Sequence, residues 1–373
     1  MARNKVLANL LLYPISKVYG MVMAVRNRLF EIGVLKQHSF DVPVIVVGNI
    51  SMGGTGKTPH TEYLIDALRF NYHIGVLSRG YKRRTKGFVH ATRRSRPEDI
   101  GDEPYQIFQK YGDDITIAVC EDRVKGINQL LEINRNINLV LLDDAFQHRY
   151  VKPSVAVVLT EFNRPVFYDK LLPYGRLREP MSALNRADIV VVTKCHDDMK
   201  PMEYRIFKEN LNLFPYQKLF FSKYAYGHLV SVFPESVTYI PYLDWLTNED
   251  SILVVSGVAN PRPFVRYLKT FKAKVKVLRF PDHHNFTHSD MELIRRKFDE
   301  LNGNRKFIIT TEKDAVRLSN NPYFPHSVKS SIFYVPIKVE FLPQGDGSID
   351  ECVGQLLRNT KFLKKKDTES IDS

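Results

Sequence analysis

Cysteine and tryptophan are scarce: the 373 residues hold three Cys and one Trp. Cys120, Cys195 and Cys352 stand too far apart in sequence for a zinc or redox motif. Three cysteines are too few for a disulfide framework, and a reducing cytosol is the natural reading. A long apolar run is also missing. The stretch VLANLLLYPISKVYGMVMAVRNRLF comes nearest, but Asn9, Pro14, Lys17, Arg26 and Arg28 interrupt any run of ~18 apolar residues. It also lacks a small-x-small cleavage site, so neither a membrane span nor a secretory signal is expected. Low-complexity tracts and internal repeats are absent. With 44% hydrophobic and 25% charged residues, the composition is that of a globular chain with ample core. At about 150 residues per domain the length predicts two or three domains.

Acid is the minority charge. Lys+Arg number 54 against 41 Asp+Glu, a formal charge of +13, which favours an anionic partner: nucleic acid, nucleotide or membrane surface. The N-terminal region, 1–40, shares the imbalance. Val18, Met21, Val22, Val25, Leu29 and Ile32 fall on one stripe at helical spacing, with Lys17, Arg26 and Arg28 on its flanks. Such a helix fits an anionic membrane interface; packing on its own domain is the alternative.

From Asp41 onward nearly continuous apolar runs alternate with helical stretches. Strands are expected at 42–48, 73–78, 115–120, 138–144, 154–159 and 188–194, with helices near 57–69, 102–110 and 122–134. Runs apolar on both faces belong to a parallel sheet, so a doubly wound P-loop NTPase-type α/β domain is expected over 41–222. After a looser, β-rich stretch a second alternation begins, with strands at 252–257, 274–280 and 306–311 and helices near 262–270 and 290–301. It predicts a smaller α/β domain over 223–340, followed by a C-terminal helix and lysine-rich tail over 341–373.

The first strand runs into ISMGGTGKTPH. Gly53, Gly54 and Gly56 let the backbone turn tightly, so that N–H groups from Ser51 through Thr58, Met52 and Thr55 included, can surround phosphate oxygens. Lys57 reaches the β- and γ-phosphates, and the Thr58 hydroxyl is placed for Mg²⁺. Ser51 stands where the general phosphate-loop signature wants Gly. Met52 replaces the additional lysine of dimerising partition ATPases, and His196 stands where a guanine-reading aspartate belongs, which weakens both of those readings.

NLVLLDD ends a buried strand in Asp143 and Asp144, placed to hold hydrated Mg²⁺ beside the loop; a surface turn is the alternative. RGYKRRTKGFVHATRRSR, 79–96, contains no acid. It suits RNA, phosphate-bearing lipid or plain solvation. GDEP puts Asp102 and Glu103 at a helix start. His283 follows a strand of the second domain, where a structural histidine is the ordinary expectation.

In order along the chain, VPVIVVGNISMGGTGKTP, LSRGYKRRTKG, GDEP, EDR, LLDDAFQHR, LLPYGRLREP, ADIVVVTK, FPDHH and TTEKDAVRL resemble the tetraacyldisaccharide 4'-kinase family of lipid A biosynthesis, from residue 42 to 318. The resemblance implies transfer of the γ-phosphoryl group of ATP, with Mg²⁺, to the 4'-hydroxyl of an acylated glucosamine disaccharide 1-phosphate. It implies a peripheral enzyme on the cytoplasmic face of a Gram-negative inner membrane, with lipid and an anionic surface as partners and no nucleic acid. It makes Asp102 the base near the acceptor hydroxyl and His283 its dyad partner. Arg123 and Arg178 become candidates for neutralising the transferring phosphoryl group, and Glu103, Gln147 and Glu179 for residues standing behind the metal's ligands or ligating the metal or its water. Two other classes remain open on the residues alone. A nucleotide-gated chaperone ATPase would lack an acceptor base, and a soluble metabolite kinase would need no lipid.

Overall fold

The computed structural model describes residues 2–282 and 284–360, with side chains from Leu12 onward; His283 and the lysine-rich tail beyond Thr360 lie outside the described residues. The chain opens with α1 (Ala2–Glu31), then β1 (Val44–Asn49), α2 (Lys57–Leu68), β2 (Ile74–Ser78), β3 (Val89–His90), α3 (Pro97–Ile100), α4 (Asp102–Tyr111), β4 (Thr116–Val119) and α5 (Arg123–Ile133). It continues through β5 (Leu139–Asp143), β6 (Val155–Glu161), β7 (Ile189–Thr193), α6 (Pro201–Leu211) and β8 (Lys218–Tyr226).

These strands build one sheet in the order β8-β7-β6-β1-β5-β2-β4-β3, parallel from β8 to β4 and antiparallel at the β3 edge. Residue parity explains why the runs are apolar throughout. Val44 and Val46 of β1 enter one core with Leu142 and Val158, whereas Ile45 and Val47 enter the other with Leu141 and Val157. Helices cover both faces, and strands with two buried sides have no polar positions to spare. β1 lies between β5 and β6, so successive connections leave it in opposite directions. The crevice at its carboxyl end is the place where such sheets bind ligands.

The smaller sheet comprises β9 (Val230–Ser231), β10 (Ser251–Ser256), β11 (Lys274–Arg279), β12 (Lys306–Thr311) and β13 (Ile332–Val335), in the order β11-β10-β12-β13-β9. Between its strands run α7 (Arg262–Leu268), α8 (His288–Asp299) and α9 (Glu312–Ser319). The chain then returns as β14 (Ile337–Gly345), antiparallel to β8 at the edge of the large sheet, and ends in α10 (Ile349–Arg358).

The divisions expected at 222/223 and 340/341 therefore fall inside two strands of the large sheet. β14 is a largely exposed edge strand and β8 beside it is buried only in its first half, so neither offers a long apolar run to a search for buried strands. The backbone bond from Gly227 N to Pro336 O, 2.9 Å, fastens the outgoing and returning segments together. α10 sets Ile349, Val353 and Leu357 in the core beside Phe220, so it belongs to the large domain.

No helix among the described residues is long and apolar enough to cross a membrane. α1 packs on its own domain by one side and leaves its apolar stripe exposed on the other. Val18, Met21, Val22, Val25 and Ile32 are all more than half exposed. The opposite side packs on the domain through Phe30, Asn27 and Arg26. Arg26, expected on the flank of the stripe, instead turns inward and donates to Gln147 O at 3.1 Å.

Candidate active site

The loop from Ile50 to Gly56 leaves β1 and enters α2 through Gly56, which is left-handed at φ 95°. A Cβ there would collide with the Tyr224 hydroxyl, so both backbone and space demand glycine. Gly53 is also at positive φ (117°), and neither it nor Gly54 has an atom within 4 Å of where a Cβ would stand, which leaves the concave side open. The loop is held from beneath. Asn49 Nδ2 donates to Thr55 Oγ1 at 2.7 Å, Thr193 Oγ1 donates to Thr55 O at 2.8 Å, and Lys194 Nζ donates to Gly54 O at 2.5 Å. His60, on the first turn of α2, lies between Gly56 O (2.7 Å) and the Ser222 hydroxyl (2.8 Å). Burial holds its pKa down at about 4, so the ring is neutral.

Lys57, expected to face phosphates alone, has a carboxylate partner: its Nζ lies 3.6 Å from Asp144 Oδ1. Arg178 Nη1 lies 3.6 Å from the same oxygen. That oxygen is buried and accepts no hydrogen bond. An acceptor between two cations without a directed bond is placed for a further positive ligand. Asp143 is buried, takes a hydrogen bond from Thr61 Oγ1 at 3.2 Å, and is pushed up to about 7 by burial and by the charges of Asp144 and Glu103. Among the described residues no group of three or more His, Cys, Asp or Glu can hold a metal by itself. A divalent cation here would complete its shell with phosphate oxygens and water, which is how Mg²⁺ binds beside nucleotides. Thr58, Asp143 and Asp144 fit that chemistry.

Arg123 opens α5 and is 2% exposed. Its Nη1 donates to Cys120 O at 2.5 Å, while Nε and Nη2 are buried without a partner. Burial lowers its pKa to about 10, opposed by the charges of Asp143 and Asp144. A fixed guanidinium facing the carboxylate pair is thus ready for an anion. Arg79 and His148 share this corner. Burial and the charges of Arg123, Arg79 and Arg26 press His148 down to about 4.

Gln147 and Glu179, expected near the metal, are engaged otherwise. Gln147 Nε2 donates to Asn49 O, and its Oε1 accepts from Arg178 at 3.5 Å. Glu179 is fully buried between Arg186 and Arg26, and its oxygens face guanidinium groups. Both correct the expectation of a metal ligand: Gln147 braces Asn49 and Arg178, and Glu179 holds Arg26 and Arg186. Asp102 and Glu103 open α4 after Gly101, which is at φ 92°. Arg317 of α9 donates to Asp102 Oδ2 through Nε at 3.0 Å and Nη2 at 2.5 Å, and Lys313 pairs with Glu103 at 3.0 Å. The second domain therefore closes directly on GDEP. His283 lies outside the described residues, so the expected dyad has no geometry here. Sequence reasoning missed His60, His148 and Lys194. TK at the end of β7 was the available signal for Lys194 and the motif LLDDAFQHR for His148; His60 had none.

Fold and site define a P-loop NTPase-type α/β protein whose second α/β domain closes on the GDEP turn. Residues 8–357 match the family described as tetraacyldisaccharide-1-P 4'-kinase. Similar curated proteins include the tetraacyldisaccharide 4'-kinase of Bacteroides thetaiotaomicron, 50% identical over 359 residues and 94% of each chain. That of Bacteroides fragilis is 46% identical over 364 residues, 97% of this chain and 96% of its own. Among solved structures, LpxK from Aquifex aeolicus in complex with ATP superposes with a TM-score of 0.70 at 29% identity, over 96% of this chain and 98% of that one. The chain belongs to the tetraacyldisaccharide 4'-kinase family.

Proposed function

We propose that the crevice at the end of β1 transfers the γ-phosphoryl group of ATP to the 4'-hydroxyl of a tetraacylated disaccharide 1-phosphate, at the cytoplasmic face of the inner membrane. One observation carries the reading: Asp144 Oδ1, buried and without a hydrogen bond, lies between Lys57 and Arg178 beside an open glycine loop. In this reading the backbone N–H groups of the loop hold the β- and γ-phosphates. Lys57 exchanges Asp144 for phosphate oxygens. Thr58, Asp143 and Asp144 would hold Mg²⁺, which when bound neutralises charge on the phosphoryl oxygens.

Asp102 takes the proton of the 4'-hydroxyl as its oxygen bonds to the γ-phosphorus. The bond from that phosphorus to the β,γ-bridging oxygen breaks, and ADP leaves. Arg123 and Arg178 stabilise the charge that develops. Glu103, through Lys313, keeps α4 and α9 together while water is excluded. His283 orients Asp102, as the FPDHH motif of the family implies.

The exposed stripe of α1 rests in the membrane interface, where the acyl chains of the substrate stay. The basic loop 79–96 then faces lipid phosphate; nucleic acid is not the partner. The test is turnover of labelled ATP with and without acylated disaccharide 1-phosphate in detergent micelles. Strict dependence on the acceptor supports the kinase. Equal hydrolysis in its absence returns the chain to a nucleotide-gated chaperone, and phosphorylation of unacylated sugars to a metabolite kinase.

A further inference from the structure

A strap of chain from Arg164 to Arg178 lies between α1 and the phosphate loop and touches both. On one side Ser16 Oγ donates to Leu171 O at 2.9 Å and Tyr19 OH to Arg178 O at 2.7 Å. The Tyr13 and Tyr174 rings meet edge-on at 5.6 Å, and a Cβ at Gly20 would approach Leu171 Cδ1 to 2.7 Å. On the other side Arg178 N donates to Ile50 O and Met52 N to Arg176 O, both at 2.7 Å, and Leu177 bridges Ser51.

The strap is stiff. Leu177 N donates to Lys170 O at 2.8 Å, and Gly175 N donates to Leu171 O at 2.8 Å. Asp169, its one acid before Glu179, spends Oδ1 on the backbone N–H groups of Lys170 and Arg176. What the strap turns outward is therefore basic and aromatic: Arg164, Lys170 and Arg176 are exposed, Tyr168 is 71% exposed and Tyr174 37%. Tyrosines with an apolar body and a polar tip, interleaved with uncompensated cations, suit the headgroup level of a bilayer. The patch adjoins α1 at the half-exposed Tyr13, on the helix side that packs on the strap.

We infer that the outer face of this strap is a second membrane contact, taking the headgroups of anionic lipid beside α1. The inference rests on the proposed docking of α1. It adds that the docked surface is bonded directly to the entry of the phosphate loop, so lipid engagement bears on Ile50–Met52.

The chain has one Trp, Trp245, so Trp245→Phe with Tyr168→Trp reports from the strap alone. On vesicles of phosphatidylethanolamine and phosphatidylglycerol, about three to one, the new indole should shift to the blue and be quenched by brominated lipid. Tyr168→Ser with Lys170→Glu should lose roughly tenfold or more in vesicle affinity in a sedimentation assay, with micellar turnover retained. Val22→Asp with Val25→Asp on α1 separates the two ideas. Suppose that variant releases a chain that otherwise sediments, while the strap variant binds like the parent and the introduced indole does not shift. The strap is then no contact, although α1 is. If the intact chain does not sediment at all, both fall. A shift that needs protein concentration and no lipid would mean self-association, and also overturns the inference.

Discussion

Lys110 joins three helices, and its removal makes a quantitative test of how the second domain is held. Its Nζ lies 2.6 Å from Glu62 of α2 and 2.7 Å from Glu312 of α9. Both carboxylates are nearly buried, at 5% and 8% exposure. Gln106 Nε2 supports Glu62 at 2.8 Å. Burial, with Glu312 adding to it, pushes Glu62 up to about 7 even with the lysine in place. Lys110→Met keeps the stem and leaves two buried like charges facing each other.

Removing one partner of a buried pair costs about 3–5 kcal/mol; with the lysine side chain 27% exposed, water screens part of it, and about 2 kcal/mol is the expected loss. That is roughly 30-fold in the ratio of closed to open α4–α9 interface. It should be read as a fall in kcat on the order of tenfold and a lower Tm. The sign with pH follows from the raised pKa. Glu62 binds its proton more tightly folded than unfolded, so its contribution is full below about 4.5 and declines as pH rises through about 7. The Lys110→Met defect should therefore shrink as pH is lowered from 8 to 6. Adding Glu312→Gln should restore both stability and turnover, because only one carboxylate then remains. A single variant as active as the parent, or a double variant no better than the single, would refute the reasoning.

Lys57→Ala should lower kcat by on the order of 10²-fold or more while the circular dichroism spectrum stays unchanged, since Asp144 keeps Arg178 as a partner. Near-normal turnover would move the nucleotide elsewhere. Gly56→Ala should abolish ATP binding by calorimetry, because φ 95° and the Tyr224 hydroxyl both oppose a Cβ. Asp102→Ala and His283→Ala should each depress kcat more than the KM for ATP. Their double variant should lose much less than the product of the single losses. Fully multiplicative losses would assign the two residues independent roles.

The parallel strands were legible because burial on both faces leaves no polar register. The strands expected at 42–48, 138–144 and 306–311 are found at Val44–Asn49, Leu139–Asp143 and Lys306–Thr311. The β8–β14 pair was not, because β8 is buried over just four residues, 219–222, β14 is largely exposed, and the pairing joins positions more than a hundred residues apart. Helix α6, PMEYRIFKENL, was also missed, since just Phe207 and Leu211 of it are buried.

In the site, the glycine loop and the Asp143–Asp144 pair announced themselves by local chemistry. Gln147 and Glu179 did not reveal their roles. Asn49 O and the Arg26 guanidinium come from distant elements that sequence spacing cannot bring together; Arg186, the second partner of Glu179, lies only seven residues on. The inward turn of Arg26 was hidden for the same reason: helical spacing locates a flank, but Gln147 decides which way a long side chain reaches.

The central claim is phosphoryl transfer to one hydroxyl, so the most direct measurement is the position of the new phosphate. Purified chain, ATP, Mg²⁺ and tetraacyldisaccharide 1-phosphate in mixed micelles should yield a bisphosphorylated lipid. A phosphorus–proton correlation spectrum should couple the added phosphate to the 4' proton, and Asp144→Asn should remove the signal. Free phosphate without modified lipid, or coupling to any other sugar proton, would contradict the account.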